Sequence, residues 1–355
     1  MVILLGSRRN HRPWVGGFSE CPKIDDDFER LVCEINSLKV AGDTVASVES
    51  QIMKRAHHWT VLKLVFLKMY VRDVYTPIIA RRYDFMAFID LFAGTGLNAY
   101  KDAKFYVPGS TLVAWFFATY PFDKIYAVGY EQNDYRVLKK RLEAFIPRRY
   151  LWLKRGDANV LVNEIANDLI KIKDSGVGVH YLAFIDPDCT EAHWRTIEKL
   201  VSLEQEGIYG DFIILLQARL IARIIGRIRK GLDKTASDKL DLFFGTSEWR
   251  ELMRLELGKL EEGILKFYIE RLEKLKSRAL VRIVSIELMR SDIHYYLIYI
   301  TRETRRGSPY LRTVEWLKNF VERVDKQKVV DSAIRKALGM PLLPDFLKGE
   351  FKQRS

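Results

Sequence analysis

The central part of the chain alternates short apolar runs with longer segments in which apolar residues recur at helical spacing. Each of the apolar runs is a strand candidate followed by a helix-like segment; the runs are Met86–Phe92, Lys124–Glu131, Leu151–Arg155, His180–Asp186 and Asp211–Gln217. Strands that are apolar along their whole length and are separated by helices are typical of a parallel sheet that is covered on both faces. The pattern therefore predicts an α/β fold with a parallel sheet at its centre.

The pattern changes after the fifth run. Residues 218–278 are predicted to be helical throughout, and two β-rich runs follow, Leu280–Met289 and Ile293–Thr301. The short gap between these two runs cannot hold a crossover, so they are expected to form an antiparallel hairpin. Five parallel strands that end in such a hairpin correspond to the class I methyltransferase sheet, which is Rossmann-like, mostly parallel and seven-stranded, with an antiparallel last strand. A plain dinucleotide-binding fold would continue with parallel units instead.

These elements predict a methyltransferase-like domain over residues 51–325, with a helical insertion at about 218–278. Within this domain, residues 51–82 are predicted to be helical, because Trp59, Leu62 and Val65 recur at helical spacing.

Both ends of the chain lie outside this domain. Residues 1–50 lack clear periodicity and are interpreted as a basic, partly flexible N-terminal extension with a helix around Phe28–Leu38. Residues 326–355 are predicted to form a C-terminal helical tail. The basic residues of the extension include Arg8, Arg9, His11 and Arg12.

The charge balance indicates the kind of partner. Lys and Arg outnumber Asp and Glu by 58 to 46, which gives a formal net charge of +12. A surplus of this size attracts polyanions, so we expect a nucleic-acid partner, with RNA favoured.

No apolar run is long enough for a membrane helix or a secretory signal, so a cytoplasmic protein without a membrane partner is expected. The scarcity of Asn and Gln, eight and six residues, is typical of proteins from thermophiles.

The cysteines are Cys21, Cys33 and Cys189. They are too few and too scattered for a disulfide framework, and no Cys-x-x-Cys pair suggests a zinc site. We therefore expect reduced thiols and no metal ion.

The loops after the predicted strands carry most of the candidate chemistry, because ligands of open α/β sheets bind at the carboxyl ends of the strands. The first loop contains Gly94 and Gly96, and a backbone without a Cβ atom can turn tightly and approach a ligand closely. Asp90 precedes this turn, where its carboxylate can bind a ligand ammonium group or orient the loop. The candidate cofactor residues here are Asp90, Phe92, Gly94 and Gly96. With Ala99 the turn also fits the glycine pattern of NAD sites, so an NAD-dependent enzyme and a plain structural turn both stay open.

The second and third loops add acidic residues. Glu131 ends the second strand, where a carboxylate can accept hydrogen bonds from both hydroxyls of a ribose. The alternative is that Glu131 is an ordinary negative charge at the start of a helix. The third loop, Gly156-Asp157-Ala158, has the pattern with which methyltransferases hold adenine, and Asp157 and Ala158 are candidate cofactor residues. Asp157 is also placed to cap the helix that follows, and both roles are compatible.

The fourth loop, Asp186-Pro187-Asp188-Cys189, follows a strongly apolar strand. Asp186, Pro187 and Asp188 are the candidate catalytic residues, because a carboxylate here can orient a target amine and the proline fixes the direction of the chain. Methyl transfer from a sulfonium is an in-line displacement that needs few groups beyond those that align the reactants. Cys189 raises a second chemistry, attack on C6 of cytosine, but an inert thiol is favoured because the adjacent acid raises the thiol pKa.

A basic stripe follows the fifth strand. Arg219, Arg223 and Arg227 recur every four residues, which places three guanidinium groups on one helical face, and they are the candidate nucleic-acid-binding residues. An ordinary solvated face is the alternative. Arg148, Arg149 and Arg155 are expected to continue the track.

At these motifs the sequence resembles the three-Cys-motif partner protein family, a methyltransferase-like family, over roughly residues 55–325. The matching stretches are His58-Trp59-Thr60-Val61-Leu62-Lys63-Leu64, Ile89-Asp90-Leu91-Phe92-Ala93-Gly94-Thr95-Gly96, Gly109-Ser110, Gly156-Asp157-Ala158, Phe184-Ile185-Asp186-Pro187 with Trp194, and Tyr296-Leu297-Ile298-Tyr299-Ile300-Thr301 with Gly307. The resemblance implies the fold and S-adenosylmethionine as the cofactor, without a defined substrate. The family's fourth loop is Asp-Pro-Phe-Gly, so this chain lacks an aromatic residue on which a base could stack.

Together these features predict an S-adenosylmethionine-dependent methyltransferase that acts on an exocyclic amine of a base in RNA or another nucleic acid, with RNA favoured. The alternative from a different class is a non-catalytic nucleic-acid-binding or partner protein on the same fold. An NAD-dependent enzyme and a cytosine-C5 methyltransferase that uses Cys189 rank below both.

Overall fold

The computed structural model describes residues 21–100, 105–233, 235–276, 279–287, 294–303 and 311–340. Ten strands are present in these ranges: β1 (Lys54–Ala56), β2 (Phe85–Asp90), β3 (Leu97–Tyr100), β4 (Tyr106–Pro108), β5 (Lys124–Gly129), β6 (Leu151–Arg155), β7 (Val179–Ile185), β8 (Tyr209–Leu216), β9 (Ala279–Glu287) and β10 (His294–Arg302). The basic patch at Arg8 to Arg12, Gly307 and the last residues of the predicted C-terminal tail lie outside the described residues.

The α-helices of the described residues are α1 (Asp27–Val48), α2 (His58–Met69), α3 (Thr76–Ile79), α4 (Ser110–Phe117), α5 (Gln132–Phe145), α6 (Ala158–Asp174), α7 (Trp194–Ser202), α8 (Ala218–Arg229), α9 (Ala236–Phe244), α10 (Leu257–Leu275), α11 (Leu311–Val324) and α12 (Gln327–Ala337). A π-helical turn, Tyr70–Tyr75, joins α2 to α3, and 3₁₀ turns span Leu203–Glu206 and Glu248–Arg254.

Seven strands form the main sheet in the order β6-β5-β2-β7-β8-β10-β9. The strands from β6 to β8 pair in parallel, whereas β10 pairs antiparallel with both β8 and β9. This is the mostly parallel class I methyltransferase sheet with its single reversed strand. The predicted fold class is confirmed, and the helical segments between β8 and β9 lie where the sequence predicts an insertion.

Helices cover both faces of this sheet, and alternate residues of each strand supply the two cores. In β2, Phe88 packs in the core that also holds apolar residues of α1, α2, α4, α11 and α12. Its neighbours Ala87 and Ile89 pack in the second core with residues of α6 to α10. The central strands are apolar at nearly every position because both of their faces are buried.

A second, three-stranded sheet has the order β1-β3-β4 and was not predicted. β1 pairs in parallel with β3, with Lys54 opposite Asn98. The prediction that residues 51–82 are helical is therefore wrong at its beginning, because pairing with a segment that is distant in the chain holds β1 extended. The pairing has a consequence for the site, since β3 begins directly after the glycine turn and brings the β1–α2 segment over it.

Helix α1 is longer than the predicted Phe28–Leu38 and is built into the first core. Asp26 caps it by accepting a hydrogen bond of 2.8 Å from the backbone N–H of Glu29. Leu31, Ile35 and Leu38 are fully buried. Spacings of four and three residues bring these side chains onto one face, which packs against α12 and β4.

Cys21 and Cys33 form a disulfide with their Cα atoms 5.8 Å apart, so the expectation that both are reduced thiols is wrong. The segment before α1 folds back along the first turns of the helix, which brings together two cysteines separated by 12 residues. Spacing alone could not show this return of the chain.

In the described part of the chain, no group of three or more His, Cys, Asp or Glu side chains could hold a metal ion, and no helix has the length and apolar character needed to cross a membrane.

Candidate functional site

The loops that follow β2, β5, β6 and β7 meet at the carboxyl edge of the main sheet and enclose a cavity of about 410 Å³. This volume lies within the range of about 300–1,000 Å³ that small-molecule sites occupy. The cavity is lined by Lys54, Leu91, Phe92, Gly94, Val128, Tyr130, Glu131, Asp134, Gly156, Asp157, Ala158, Asn159, Asp186, Asp188, Glu191 and His193. The four loops singled out in the sequence thus come together, as the rule for open α/β sheets predicts.

The glycine turn after β2 adopts backbone conformations that favour glycine. Gly94 and Gly96 have φ angles of 58° and 74°. Two neighbours hold the turn: the buried guanidinium of Arg141 donates a hydrogen bond of 2.6 Å to the carbonyl oxygen of Thr95, and the N–H of Gly109 donates one of 2.8 Å to the carbonyl oxygen of Gly96. The turn is therefore fixed from α5 on one side and from the loop before α4 on the other.

Asp90 is fully buried beneath this turn and does not line the cavity. Its Oδ2 accepts hydrogen bonds from the hydroxyls of Ser110 (2.6 Å) and Thr111 (2.7 Å), and its Oδ1 accepts one from the N–H of Phe92 (3.3 Å). Burial raises the pKa of Asp90 to about 6, against hydrogen bonds that lower it. Of the two roles considered for Asp90, this geometry supports orientation of the loop.

Glu131 and the third loop form the far wall of the cavity. Glu131 is exposed and stands at the start of α5, after β5 has ended. Asp157 caps α6 by accepting hydrogen bonds from the backbone N–H and the side-chain amide of Asn159, at 2.8 and 2.9 Å. The cap considered for Asp157 is thus present, and it leaves the residue on the wall of the cavity beside Ala158.

His193 on the same wall was not singled out from the sequence. Its Nδ1 is buried and has no hydrogen-bond partner among the described residues. Burial and the nearby Arg195 lower the pKa of His193, so the ring is neutral at pH 7 and offers a ring nitrogen to a ligand.

Asp186 lies directly after β7 and forms an ion pair with Lys63 of α2. Both side chains are largely buried, with 20% and 12% of their surface exposed. Pro187 is buried, and Asp188 is exposed, with its N–H donating to Glu191 Oε2 at 3.1 Å. Lys63 is not among the site residues that the sequence predicts, although a lysine within a mostly apolar helix is a signal that could indicate it.

A second cavity, of about 440 Å³, lies beside the first and shares Lys54, Phe92, Gly94, Asp186 and Asp188 with it. Lys63, Trp59, Tyr295 and Gln217 also line it. The β1–α2 segment supplies Trp59 and Lys63, and long-range pairing of β1 places this segment, so its contribution could not be predicted. Gln217 directly follows β8, so the rule that selected the other loops could have found it.

Cys189 has a φ angle of 57° and a free thiol. Burial, Asp188 and Glu191 raise its pKa to about 11. A thiol with this pKa is protonated at neutral pH and is a poor nucleophile, which agrees with the inert thiol favoured above.

Helix α8 carries the basic stripe as the sequence predicts. Arg219 is half-buried and Arg223 and Arg227 are exposed, while Ile221 and Ile225 are buried on the opposite face. A guanidinium nitrogen of Arg227 (Nη2) also lies 3.9 Å from Oδ2 of Asp233.

The expected continuation of this track through Arg148 and Arg149 is wrong. These residues precede β6 and lie at the amino edge of the parallel sheet, whereas α8 begins at the carboxyl edge. Arg155 ends β6 at the carboxyl edge and donates a hydrogen bond to Gln132.

The sheet order and the cavity at its carboxyl edge define an α/β protein with the class I methyltransferase fold. No family model matches the sequence, and no curated protein matches it significantly. Among solved structures, a protein from Legionella pneumophila is similar, with 11% identity and a TM-score of 0.42 over 72% of this chain and 92% of its own. An O-methyltransferase from Bacillus cereus in complex with SAH has 11% identity and a TM-score of 0.34, covering 79% and 92%. An SAH-bound methyltransferase from Podospora anserina has 12% identity and a TM-score of 0.36, covering 81% and 99%. Similarities of this degree carry no information about the cofactor or substrate of this chain.

Proposed function

We propose that this protein is an S-adenosylmethionine-dependent methyltransferase that methylates an exocyclic amine of a base in RNA or another nucleic acid. The observation that carries the proposal is the position of Asp186, which lies on the walls of both cavities at the carboxyl edge of the sheet. A cofactor in the first cavity and a substrate in the second would meet at this carboxylate. The resemblance to the three-Cys-motif partner family agrees with this function and stays a prediction.

The residues of the first cavity fit S-adenosylmethionine. Gly94 leaves room for close approach to the backbone, and Glu131 offers a carboxylate to the ribose hydroxyls. Gly96 does not line this cavity; its φ of 74° shapes the turn. Asp157 and Ala158, together with the unpartnered Nδ1 of His193, suit the polar edge of adenine. When bound, this cofactor supplies an electrophilic methyl group on a sulfonium.

Lys54 is placed to bind the carboxylate at the amino-acid end of the cofactor. Its side chain passes over the glycine turn, with Nζ 3.9 Å from the position of a Cβ atom on Gly94. Lys54 lines both cavities, and no hydrogen bond or ion pair from its ammonium group to another described residue is present. An ammonium group placed here can bind a ligand carboxylate.

The chain's own residues then have to align a nucleophile and exclude water. Asp186 can accept a hydrogen bond from an amine and take up its proton, while Pro187 fixes the loop and Lys63 holds the carboxylate in place. Asp188 stands at the same junction, where it adds negative charge.

The nucleic-acid part of the proposal rests on charge. The exposed guanidinium groups of Arg223 and Arg227 extend along α8 from Gln217, which lines the second cavity. A phosphate backbone lying along this face would bring a base to the cavity. The excess of 12 positive charges agrees with a polyanionic partner.

One observation favours a non-catalytic partner protein as the second candidate. The ion pair with Lys63 occupies the carboxylate that an amine would need, so Asp186 has to bind two partners at once if it takes part in catalysis.

Calorimetry with S-adenosylhomocysteine and with NAD tests the cofactor. We expect binding of the former at sub-millimolar concentration and none of the latter, and the reverse result would refute the proposal. Transfer of tritiated methyl groups to bulk RNA then tests catalysis, with Asp186→Ala compared against the wild-type chain. A wild-type protein that binds the cofactor product but transfers no label to RNA or DNA would favour the non-catalytic candidate.

A further inference from the structure

The second cavity contains a buried acceptor without a partner. Gln217 is 6% exposed and lies between the end of β8 and the start of α8. Its Nε2 donates a hydrogen bond of 3.2 Å to the carbonyl oxygen of Pro187, and its Oε1 is buried with no partner among the described residues. The reverse orientation of the amide would place two acceptors against each other, so the Pro187 carbonyl determines that Oε1 is the atom left over.

A buried acceptor that lacks a partner is destabilising, and native proteins leave few of them. Gln217 also lines the cavity, so a ligand that fills it can supply the missing N–H. The Asp186 carboxylate is a second acceptor on the wall of the same cavity. Two acceptors in one cavity suit a group with two hydrogens to donate, such as an exocyclic amine.

Aromatic rings form another wall of this cavity. The rings of His57 and Trp59 stack with centroids 4.1 Å apart and an angle of 11°, and Trp59 and Tyr295 follow at 5.8 Å and 27°. All three residues line the cavity. A planar ligand gains stacking energy against such a wall, whichever base it is. These rings supply what the fourth loop lacks, because Asp188 and Cys189 follow Pro187 where the resembling family has an aromatic residue.

From these contacts we infer that the second cavity is a base-binding pocket that selects an amino-bearing base, with Gln217 as its specificity-determining residue. The inference rests on the proposed function for the identity of the substrate. Trp59 and Tyr295 bind any base by stacking. Gln217 Oε1 and Asp186 accept the hydrogens of an exocyclic amine, which adenine, guanine and cytosine carry and uracil lacks. Opposite Gln217, uracil would present a carbonyl oxygen, and two acceptors would face each other.

The test uses the full-length protein and fluorescent single-stranded RNA dodecamers of uridine in which one central residue is U, A, C or G. Because the backbone is constant, differences in Kd report the central base. We expect the wild-type chain, assayed with and without S-adenosylhomocysteine, to bind at least one amino-bearing dodecamer about tenfold or more tightly than the all-uridine one. Gln217→Met, which keeps the size of the side chain and removes its acceptor, should abolish that preference. Trp59→Leu should weaken all four dodecamers by about tenfold and keep the preference.

Gln205→Met is the matched control, because it makes the same substitution at an exposed amide in the turn Leu203–Glu206, which lines neither cavity. It should leave both the affinities and the preference unchanged. The binding of S-adenosylhomocysteine to each variant, measured by calorimetry, reports whether the fold and the cofactor site are intact.

The outcomes separate the two proposals. If the preference for an amino-bearing base is present and disappears in Gln217→Met while S-adenosylhomocysteine does not bind to any form, the base pocket stands and the methyltransferase proposal fails. If S-adenosylhomocysteine binds but the wild-type protein shows no preference, or Gln217→Met keeps it, the base pocket is wrong and the methyltransferase proposal is unaffected.

Discussion

Lys63 forms an ion pair with Asp186, a residue 123 positions further along the chain, at the junction of two cavities. The pair joins α2, which lies above the carboxyl edge of the sheet, to the loop after β7. A partly buried carboxylate without a counter-charge would be poorly held and costly to desolvate. Lys63 is therefore a positioning residue for Asp186 under the proposed function.

Replacement of Lys63 tests this role. We expect Lys63→Met to lower the single-turnover rate of methyl transfer about 10- to 100-fold, because small displacements of an aligning group have effects of this size. The Kd for S-adenosylhomocysteine should change much less than the rate, and Lys63→Arg should restore part of it. Lys139→Met removes an exposed ion-paired lysine of α5 and should behave like the wild-type chain. A wild-type rate in Lys63→Met would show that the pair has no part in the reaction.

The sheet could be predicted from the sequence because its signals are local. Each parallel strand of the main sheet is a short apolar run between helical segments, and the last two strands are runs separated by a short gap. The predicted bounds differ from the observed ones by at most a few residues at either end. The glycine turn and the acidic residues after the strands were found in the same way, because the topology of a parallel sheet sends all of them to one edge.

The part of the site that lies above the sheet could not be predicted. Lys54, Trp59 and Lys63 reach it because β1 pairs with β3, a contact between distant segments that no local pattern encodes. The disulfide between Cys21 and Cys33 depends likewise on how the chain returns along α1. The prediction for Arg148 and Arg149 failed because it used only their positive charge. Both residues precede β6, which places them at the amino edge of the sheet, away from the start of α8.

The buried carboxylate of Asp90 makes stability depend on pH. Its pKa in the folded chain, about 6, lies above the ordinary value of 3.8. Between these values the folded state binds a proton that the unfolded state does not, so the contribution of Asp90 to stability falls as the pH rises and is constant above about 6. The shift of about two pKa units corresponds to roughly 3 kcal/mol.

We therefore expect the free energy of unfolding of the wild-type chain, relative to Asp90→Asn, to decrease by roughly 2–3 kcal/mol from pH 4 to pH 7. Denaturant unfolding of both proteins across this range measures the difference. Ser110→Ala removes a hydrogen bond that favours the charged form, so it should move the transition to higher pH. A difference that is constant, or that grows with pH, would contradict a raised pKa.

Gly109 supports the glycine turn by having no side chain. A Cβ atom on Gly109 would lie 2.8 Å from the Cα atom of Gly96. Gly109→Ala should displace the turn, lower the free energy of unfolding by about 1–3 kcal/mol and weaken S-adenosylhomocysteine binding about tenfold or more. Gly176→Ala is a matched control, because its φ of 87° makes alanine costly by about 1–2 kcal/mol while no atom within 4 Å obstructs the side chain. Similar reductions of affinity in both variants would show that binding follows general stability and not the turn.

The disulfide should stabilise the start of α1. In the chain-entropy model, closing a loop of this length contributes about 3 kcal/mol to the free energy of unfolding. We expect the double variant Cys21→Ser/Cys33→Ser to be less stable by about 2–3 kcal/mol, measured by denaturant unfolding without reductant. Cys189→Ser, which leaves the pair intact, serves as the control. Thiol titration of the denatured protein should detect only Cys189 before reduction and all cysteines after it; a full count before reduction would exclude the bond.

The basic face of α8 is the most direct test of a nucleic-acid partner. If Arg219, Arg223 and Arg227 bind phosphates, replacing them with Gln should reduce the slope of log Kd against log salt concentration by about 0.7 for each phosphate of a single strand that is no longer neutralised, or about 2 in all. The measurement is the affinity for single-stranded RNA between about 50 and 200 mM salt. Arg148 and Arg149 provide a control, because they are exposed arginines at the opposite edge of the sheet. Their replacement with Gln lowers the net charge without touching α8, so the slope should stay near that of the wild-type chain. Equal reductions per arginine in both sets would mean that RNA responds to the overall charge and that α8 does not define its path.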